Sequence, residues 1–313
     1  MKITIITSSY KRPDLLERLG EKIIPILNKS LNTNKLIKWR VVIDGPAEKY
    51  KSILDRLNEK VISKTLFTWS EQNNIGKFKS LVKAMDEERE QCEWLLNIDD
   101  DDLLINYKFE SFLNKIEDFP SSVKAILMPR LMLRSPLSYF SKITKKKLFE
   151  KFDQKMISYY GFKDKFGDID TSIFIRSKSY KFTHNDDVFN DNFTSESLLY
   201  LDSFPNNDIL IINDHIVYSQ YLRQGLTRSS NYNRVLNPIS SVATYKKFLD
   251  HNFKFKLKIS SLFLKSLINY YRFNLHADIK NFKDDKKYAN HLIRFIALII
   301  GKIIFLQDKL LVK

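Results

Sequence analysis

Glycine, histidine and cysteine are scarce in this chain of 313 residues, and their scarcity excludes several classes of enzyme. The seven glycines form neither G-x-G-x-x-G nor G-x-x-x-x-G-K-[ST], the loops with which dinucleotide-binding and P-loop proteins hold phosphate. The five histidines lack the spacing of metal ligands, and the G-x-S-x-G pattern of serine hydrolases is absent. The sequence therefore argues against an NAD-dependent dehydrogenase, a P-loop kinase and a serine hydrolase.

The single cysteine, Cys92, excludes a disulfide framework within the chain and suits a reducing compartment. The opening segment MKITIITSSYKRP reaches charged residues before it develops the apolar stretch of a secretory signal peptide. Hydrophobic residues make up 43% of the chain and charged residues 28%, which is the balance of a globular rather than a disordered protein. We therefore expect a folded, cytoplasmic protein.

Positive charge is concentrated towards the C-terminal end. The net charge is +15, and the last 63 residues, from His251 onwards, carry 13 Lys and Arg against four Asp. The apolar segment Leu292–Leu306 lies in this region and is shorter than the ~20 residues that span a bilayer. It predicts a helix that either lies in a membrane interface, at the inner face of the cell membrane, or docks on the protein core. No nucleic-acid motif accompanies the charge, so we expect no nucleic-acid partner.

Strand-like and helix-like segments alternate through the first 130 residues. Short apolar runs rich in β-branched residues predict strands, and apolar residues spaced by three and four predict helices. Such alternation predicts an α/β fold with a mostly parallel sheet. A helical C-terminal part begins near Asn237. The predicted strands are Ile3–Thr7, Trp39–Ile43, Thr65–Trp69, Trp94–Ile98, Ala125–Pro129, Thr171–Ile175 and Asp208–Ile212, and the predicted helices include Pro13–Leu27, one that opens at Pro46, and Lys77–Cys92.

Four consecutive aspartates, Asp99–Asp102, directly follow the predicted strand Trp94–Ile98. Crowded carboxylates repel one another unless a cation lies among them, and hard divalent cations prefer oxygen ligands. The ligand crevice of an open α/β sheet lies at the carboxyl ends of its strands, where this cluster falls. A solvated acidic loop or a helix cap is the alternative, but four aspartates exceed what a cap needs. The run therefore predicts a D-x-D pair directed at Mg²⁺ or Mn²⁺.

Two further carboxylates have both a functional and a structural interpretation. Asp44 follows the predicted strand Trp39–Ile43, and it either accepts hydrogen bonds from a nucleoside or serves as a turn residue in D-G-P. Glu196 lies in FTSESLLYLD, at the predicted start of a helix. It acts either as a general base or as an ordinary acidic residue at a helix N-terminus. The residues by themselves leave both alternatives open.

Five segments, taken in order along the chain, resemble the motifs of family-2 glycosyltransferases. IITSSYKRP is similar to V-I-I-P-T-Y-N-R, and VVIDGP is similar to V-V-D-D-G-S. NNIGKFKSLVKAM resembles the N-x-G-x-x-x-A segment, and WLLNIDDDDLL resembles Y-I-L-F-L-D-x-D-D-L-L. SESLLYL resembles the S-E-D helix on the acceptor side. The resemblance covers approximately residues 2–230.

The resemblance implies the GT-A fold, a Rossmann-like and mostly parallel sheet with flanking helices, over residues 1–235. A basic, helical C-terminal region would follow over residues 236–313. The implied activity is the transfer of a sugar, with inversion, from a nucleotide-diphosphate sugar to an acceptor hydroxyl. A UDP-sugar is the favoured donor, and a glycan or lipid-linked glycan of bacterial surface polysaccharide synthesis is the implied acceptor. The implied cofactor is Mn²⁺ or Mg²⁺.

The same resemblance assigns roles to individual residues. Asp101, with Asp99, would hold the metal, and Glu196 would be the catalytic base. Asp100 and Asp102 would support the acidic loop, and Lys79 is an alternative to Lys77 near the phosphates. The implied donor-binding residues are Ser9, Tyr10, Arg12, Asp44, Asn74, Lys77, Asp99 and Asp100.

Two positions depart from the family pattern. Ser197 stands where the S-E-D helix has aspartate, and Gln224, in YLRQGLTRSS, stands where a donor-closing loop has histidine. Both departures favour one rival interpretation, a non-catalytic, degenerate transferase that acts as a binding partner. The other rival is a nucleotidyltransferase, which would be expected to carry a glycine-rich N-terminal signature that SSYKRPD lacks.

Overall fold

The structure is a computed structural model, and it describes residues 1–134, 139–182, 191–220, 230–279 and 285–311. Two compact units interleave along the chain. The sequence predicts a single boundary near residue 235, which stays a prediction because compact units and domain limits are different properties. The unit that we call the sheet unit comprises Met1–Ile157, Ile169–Tyr180 and Asn207–Leu222, and the helical unit comprises Ser158–Asp168, Lys181–Asn206 and Arg223–Lys313.

The sheet unit contains all the strands in the described residues. Most of them coincide with the apolar runs that predict strands, although their ends differ by one to three residues. Their bounds are β1 (Lys2–Ser9), β2 (Leu36–Asp44), β3 (Phe67–Gln72), β4 (Trp94–Asn97), β5 (Leu103–Leu104), β6 (Ala125–Pro129), β7 (Leu131–Arg134), β8 (Met156–Ile157), β9 (Thr171–Arg176), β10 (Ile209–Ile211) and β11 (Val217–Gln220).

The strands form two sheets. The larger sheet has eight strands in the order β3-β2-β1-β4-β9-β6-β10-β8, and a smaller one has the order β5-β11-β7. The four neighbours β3, β2, β1 and β4 are mutually parallel, and β10 is parallel to β6. β9 is antiparallel to both β4 and β6, so β6 runs in the same direction as β4. The predicted α/β fold with a mostly parallel sheet is therefore confirmed.

Burial explains why the central strands are apolar throughout. Every residue of β1 from Ile3 to Ser9 is buried, as expected of a parallel strand that is covered on both faces. The indole of Trp39, in β2, is fully buried and donates a 3.0 Å hydrogen bond to Oγ1 of Thr7. The core of the unit thus satisfies its polar atoms within the sheet.

Five helices belong to the sheet unit. The first begins at Pro13, where the missing N–H of proline costs nothing, and it buries one face through Leu16, Leu19 and Ile23. The bounds are α1 (Pro13–Ser30), α2 (Lys51–Lys60), α3 (Lys77–Glu88), α4 (Asn106–Lys115) and α5 (Tyr139–Phe152).

The second helix does not open at Pro46, as the sequence predicts, but at Lys51. Tertiary contacts keep the intervening residues in a turn. The N–H of Ala47 donates to a carboxylate oxygen of Glu71 at 3.2 Å, and the N–H of Tyr50 donates to the carbonyl of Ala47 at 2.8 Å. A proline after a glycine is compatible with either a helix start or a turn, and the bond to Glu71 favours the turn.

The helical unit has its own core. Tyr245, Leu249, Phe263 and Phe273 are buried in it, and the rings of Tyr245 and Phe273 stack with their centroids 5.7 Å apart. No helix in the described ranges combines the length and apolar character that crossing a membrane requires. The predicted helical C-terminal part is present. The bounds are α6 (Tyr159–Phe166), α7 (Ser197–Ser203), α8 (Ser230–Leu236), α9 (Pro238–Lys254), α10 (Ser261–His276) and α11 (His291–Leu311).

Candidate active site

The carboxyl ends of several parallel strands meet at one edge of the larger sheet, and the predicted site residues of the sheet unit follow those ends. β1 ends at Ser9, β2 ends at Asp44, and β4 ends just before the run Asp99–Asp102. The N–H of Asp102 donates to the carbonyl of Asp99 at 3.0 Å, which closes the run into a tight turn. The following β5 pairs with β11, so the turn is fixed at both of its ends.

Asp100 is fully buried and serves as an internal anchor of this turn. Its Oδ2 accepts a 2.6 Å hydrogen bond from the hydroxyl of Ser9, and its Oδ1 lies 2.8 Å from Nη2 of Arg12. Burial raises the pKa of Asp100 to about 7, although Arg12 and Ser9 oppose the shift. Tyr50 completes the arrangement, because its hydroxyl lies 3.0 Å from the hydroxyl of Ser9 and accepts a 2.8 Å bond from the N–H of Arg12.

Asp102 is the second buried anchor. Its Oδ2 accepts a 2.6 Å hydrogen bond from Nη1 of Arg130, and its Oδ1 accepts a 2.8 Å bond from the hydroxyl of Ser219 in β11. Burial raises the pKa of Asp102, and Arg130 opposes that shift. The carboxylate of Asp102 therefore links the acidic turn to both β11 and the residue that follows β6.

Asp99 and Asp101 are the two members of the run whose side chains retain contact with solvent, with 23% and 19% of their side-chain surface exposed. Asp99 lies 2.8 Å from Nζ of Lys77 and 3.5 Å from Nη1 of Arg130. Burial opposes ionisation of Asp99, but the two cations outweigh it and hold its pKa well below the usual range. Asp101 lies 3.1 Å from Nη1 of Arg12, and burial together with Asp99 raises its pKa.

Arg130 is a site residue that sequence reasoning missed. It is only 10% exposed at its side chain and contacts two of the four aspartates. A signal was present in the sequence, because Arg130 directly follows the predicted strand Ala125–Pro129 and therefore lies at a strand end. Since β6 runs parallel to β4, that strand end falls on the same edge as the aspartates. Arg12, Lys77 and Arg130 together place three cations against four carboxylates.

Asp44 organises the loop that leads to Lys77. It is buried, its Oδ1 accepts bonds from the N–H of Ile75 and the side chain of Gln72, and its Oδ2 accepts from the N–H of Gly76. These bonds measure 2.9, 3.1 and 3.0 Å respectively. Gly76 has φ +93°, a conformation that favours glycine, and α3 begins at the next residue. The carboxylate therefore sets where α3 starts and where Lys77 stands.

Two further predicted donor-binding residues lie on the surface of the sheet unit. Asn74 is exposed in the loop that Asp44 holds. Tyr10 is 37% exposed, and Nζ of Lys11 lies 4.9 Å from the centroid of its ring. A Cβ atom on Gly45 would approach the Tyr10 ring to 3.1 Å, so glycine permits the ring to lie close to the end of β2. An exposed aromatic ring at a strand end is suited to stacking on a planar ligand.

Glu196 belongs to the helical unit, where it is the N-cap residue of α7. It is half-buried, and one of its carboxylate oxygens accepts a 3.4 Å hydrogen bond from the hydroxyl of Tyr200. Its neighbour Ser197 is buried, and the Ser197 hydroxyl lies 3.2 Å from that of Tyr159. Ser197 thus takes part in internal packing, whereas Gln224 lies outside the described residues.

The donor set of the acidic turn fits a divalent cation of the magnesium class. Asp99 and Asp101 offer partly exposed carboxylate oxygens, which is the ligand chemistry that Mg²⁺ and Mn²⁺ prefer. Within the described ranges no three His, Cys, Asp or Glu side chains are grouped so as to hold a metal by themselves. Magnesium commonly uses one or two carboxylates and takes its remaining ligands from water and substrate phosphates. Two aspartates therefore suffice for a metal that is shared with a phosphate ligand.

Comparisons with known proteins show a likeness of fold at low sequence identity. No protein-family model matches the sequence, and no curated protein matches it. Residues 1–349 of S. aureus TarS match 99% of this chain and 91% of theirs, with TM-score 0.51 and 14% identity. A second TarS structure matches 97% of this chain with TM-score 0.55 and 13% identity, and this chain spans only 54% of it. Mannosyl-3-phosphoglycerate synthase from Rubrobacter xylanophilus matches 82% of this chain and 75% of its own, with TM-score 0.50 and 13% identity.

These likenesses agree with the topology described above. The parallel strands β3, β2, β1 and β4 carry an acidic turn at their carboxyl edge, and helices flank the sheet. The sequence motifs predict this arrangement from the order of their segments along the chain. Together, the topology and the similar structures show that the chain has the fold of GT-A glycosyltransferases.

Proposed function

We propose that this chain is a family-2 glycosyltransferase that moves a sugar, with inversion, from a nucleotide-diphosphate sugar to an acceptor hydroxyl. The observation that carries the proposal is the turn Asp99–Asp102 at the carboxyl edge of a GT-A sheet, with three cations in ion-pair contact with it. Carboxylates and cations held side by side suit a ligand that brings both phosphate oxygens and a divalent metal. The fold supports this function without requiring it.

Three side chains would bind the donor diphosphate in this proposal. Lys77 and Arg12 are half-buried beside the two partly exposed aspartates, so their charges face the position of a metal-bound diphosphate. Arg130 would keep Asp99 ionised at every physiological pH. When bound at Asp99 and Asp101, Mg²⁺ or Mn²⁺ would supply Lewis-acid stabilisation of the departing diphosphate.

The nucleoside would be bound by Tyr10, Asn74 and Asp44 in the same proposal. The ring of Tyr10 is exposed and would stack on a base, and Asn74 offers an exposed amide. Asp44 would contribute chiefly by holding the loop Gln72–Gly76, since its oxygens already accept three hydrogen bonds. A UDP-sugar is the donor that the sequence resemblance favours.

Glu196 would act as the general base that takes the proton from the acceptor hydroxyl as the hydroxyl attacks the anomeric carbon. The assignment rests on its position in SESLLYL, and its half-buried carboxylate suits a proton acceptor. Direct displacement requires one base and no enzyme nucleophile, which agrees with the absence of a serine-hydrolase motif. The acceptor would be a glycan or lipid-linked glycan, with residues 1–235 as the transferase domain and 236–313 as an extension.

The direct test is a screen of UDP-, GDP- and dTDP-sugars in the presence and absence of Mn²⁺ and Mg²⁺. We expect one nucleotide sugar to raise the melting temperature in a metal-dependent manner and to undergo hydrolysis or transfer. Asp101→Asn should lose the metal-dependent shift, and the exposed Asp55→Asn should keep it. Pyrophosphate exchange with a sugar phosphate would identify a nucleotidyltransferase instead. Binding without any turnover would identify a non-catalytic relative.

A further inference from the structure

The C-terminal helix α11 is mounted with its small residues towards the protein. Ala297 and Gly301 are buried, and Asp308 is buried with its carboxylate in a two-point contact with Arg272 at 2.6 and 2.7 Å. His276 lies 2.9 Å from the same carboxylate. A Cβ atom on Gly301 would come within 2.8 Å of a backbone oxygen of α10, so the two helices touch there. The packing of α11 therefore uses close backbone contact and charge, and not its large apolar side chains.

Those large apolar side chains point outwards. They are spaced by three, four and seven residues, so they lie along one stripe of the helix. Monomeric proteins seldom expose a contiguous apolar patch of this extent without a partner for it. Each member of the stripe is at least 37% exposed: Leu292, Phe295, Ile296, Ile299, Ile300, Ile303, Leu306 and Leu310.

A second exposed apolar element lies in the same unit. The segment Phe253–Ile259 (FKFKLKI), which joins α9 to α10, alternates apolar residues with lysine, and all seven of its residues are exposed. Lys287, which precedes α11, ties this segment to the helix. Its ammonium lies 2.8 Å from Asp250 and 5.9 Å from the centroid of the Phe253 ring. The FKFKLKI segment and the N-terminal end of α11 therefore lie at the same end of the helical unit.

We infer that the outer stripe of α11 and the FKFKLKI segment form a docking surface for an anionic lipid bilayer. Lys302 and Lys309 are exposed and flank the stripe on one side, and Lys254, Lys256 and Lys258 alternate with the apolar residues of the segment. An apolar stripe edged by lysines matches an interface of acyl chains and anionic headgroups, whereas a second copy of the same surface would oppose lysine to lysine. The helix would lie in the plane of the interface, because none of the described helices is suited to span it.

Two physical signals combine in this surface. The apolar stripe gains free energy by leaving water, and each lysine near an anionic leaflet contributes about 1 kcal/mol. Either signal alone gives weak, reversible binding, and stable attachment requires both. This inference does not depend on the sugar-transfer chemistry proposed above.

The test is co-flotation of the full chain with vesicles of phosphatidylcholine, with and without phosphatidylglycerol. We expect binding to the anionic vesicles that weakens as salt is added. Ile303→Glu should raise the lipid concentration needed for half-maximal binding at least about tenfold, since it places a charge in the stripe. The matched control is Ile62→Glu, at an exposed site of the sheet unit, which should bind as the parent does. Circular dichroism checks that both variants fold.

A charge series separates the electrostatic contribution. Replacing Lys254, Lys256 and Lys258 together by Gln should lower binding to anionic vesicles about tenfold or more. The same change at the exposed Lys146, Lys147 and Lys151 of α5 should not. Absence of vesicle binding, or unchanged binding by Ile303→Glu, would overturn the inference. A dimer that Ile303→Glu dissociates, in a protein that ignores vesicles, would assign the surface to a second copy. Each of these results leaves the nucleotide-sugar test unaffected.

Discussion

Arg130 donates a 2.6 Å hydrogen bond to Oδ2 of Asp102, and the same guanidinium nitrogen lies 3.5 Å from Oδ2 of Asp99. One buried cation therefore joins a carboxylate that anchors the acidic turn to a carboxylate that faces the ligand position. The turn carries four negative charges within four residues, and it depends on this cation for its conformation. Arg130 is for this reason as much a part of the site as the aspartates themselves.

Replacing Arg130 by Met should destabilise the sheet unit by about 3–5 kcal/mol, because it leaves buried carboxylates without their cation. The buried Trp39 and Trp94 report unfolding of this unit by fluorescence in urea. Arg56→Met is the control, since Arg56 pairs with Glu17 on the surface and should change stability by about 1 kcal/mol or less. Equal effects of the two substitutions would show that the Arg130 pairs contribute no more than a surface pair.

Asp44→Asn should lower stability by about 1–3 kcal/mol, because an amide cannot accept bonds from the N–H groups of both Ile75 and Gly76 with both of its ends. The loop before α3 would then be displaced, and the affinity for a nucleotide ligand should fall with the stability. Urea unfolding and nucleotide titration of the same variant check this. A loss of affinity at unchanged stability would instead make Asp44 a direct ligand of the nucleotide.

Glu196→Gln should retain nucleotide-sugar binding and lose transfer by about 10²-fold or more, the scale of a lost general base. The measurements are a thermal shift with the donor and a turnover assay with the acceptor. Glu150→Gln, at an exposed site of α5, is the matched control and should turn over normally. Near-normal transfer by the Glu196 variant would remove it from the mechanism.

Gly301→Val should destabilise the helical unit by about 1–3 kcal/mol, because its side chain would collide with backbone atoms of α10 that cannot move aside. Ile299→Ala, two residues earlier and on the exposed stripe, should change stability by no more than about 0.5 kcal/mol. Thermal unfolding followed by circular dichroism distinguishes the two. A larger effect for Ile299 would mean that the stripe is covered in the free protein.

His251 predicts a loss of stability in mild acid. Burial, with the nearby charges of Lys254 and Lys247, lowers its pKa from 6.5 to about 4. Between these values the unfolded chain binds a proton that the folded chain does not, so stability falls as the pH decreases from about 6.5 towards 4. The expected loss between about pH 7 and pH 5 is about 1–2 kcal/mol.

His251→Phe should remove most of this pH dependence. A phenyl ring can keep the stacking on Tyr160, whose ring centroid lies 5.0 Å from that of His251, and it does not bind a proton. The midpoints of urea unfolding at the two pH values measure the effect. His291→Phe, at an exposed position, should unfold with the same pH dependence as the parent chain. If the two variants behaved alike, the acid sensitivity would originate elsewhere.

The sequence predicted most of the sheet because its signals are local. Apolar runs such as Trp94–Ile98 and Ala125–Pro129 became β4 and β6, since a parallel strand that is buried on both faces must be apolar throughout. The helix expected at Pro46 was wrong in its start, because the bond from Ala47 to Glu71 joins residues that no local pattern relates. The interleaving of the two units is equally non-local.

The acidic turn was predicted from the sequence, but its wiring was not. Four aspartates after a buried strand indicate a site wherever that strand lies. Which of them face outwards depends on Ser9, Arg130 and Ser219, which come from three other strand ends. Only the assembled sheet brings these ends to one edge, because parallel strands align their carboxyl ends whatever their separation along the chain.

The sequence by itself determined the α/β class, the carboxylate run, the helical C-terminal part and the concentration of positive charge there, since each is a property of composition or local spacing. The tertiary structure decided which carboxylates are buried anchors, that Arg130 balances them, and that α11 turns its glycine inwards and its isoleucines outwards. These properties depend on contacts between distant segments, where burial and close backbone approach select among side chains that the local pattern treats as equivalent.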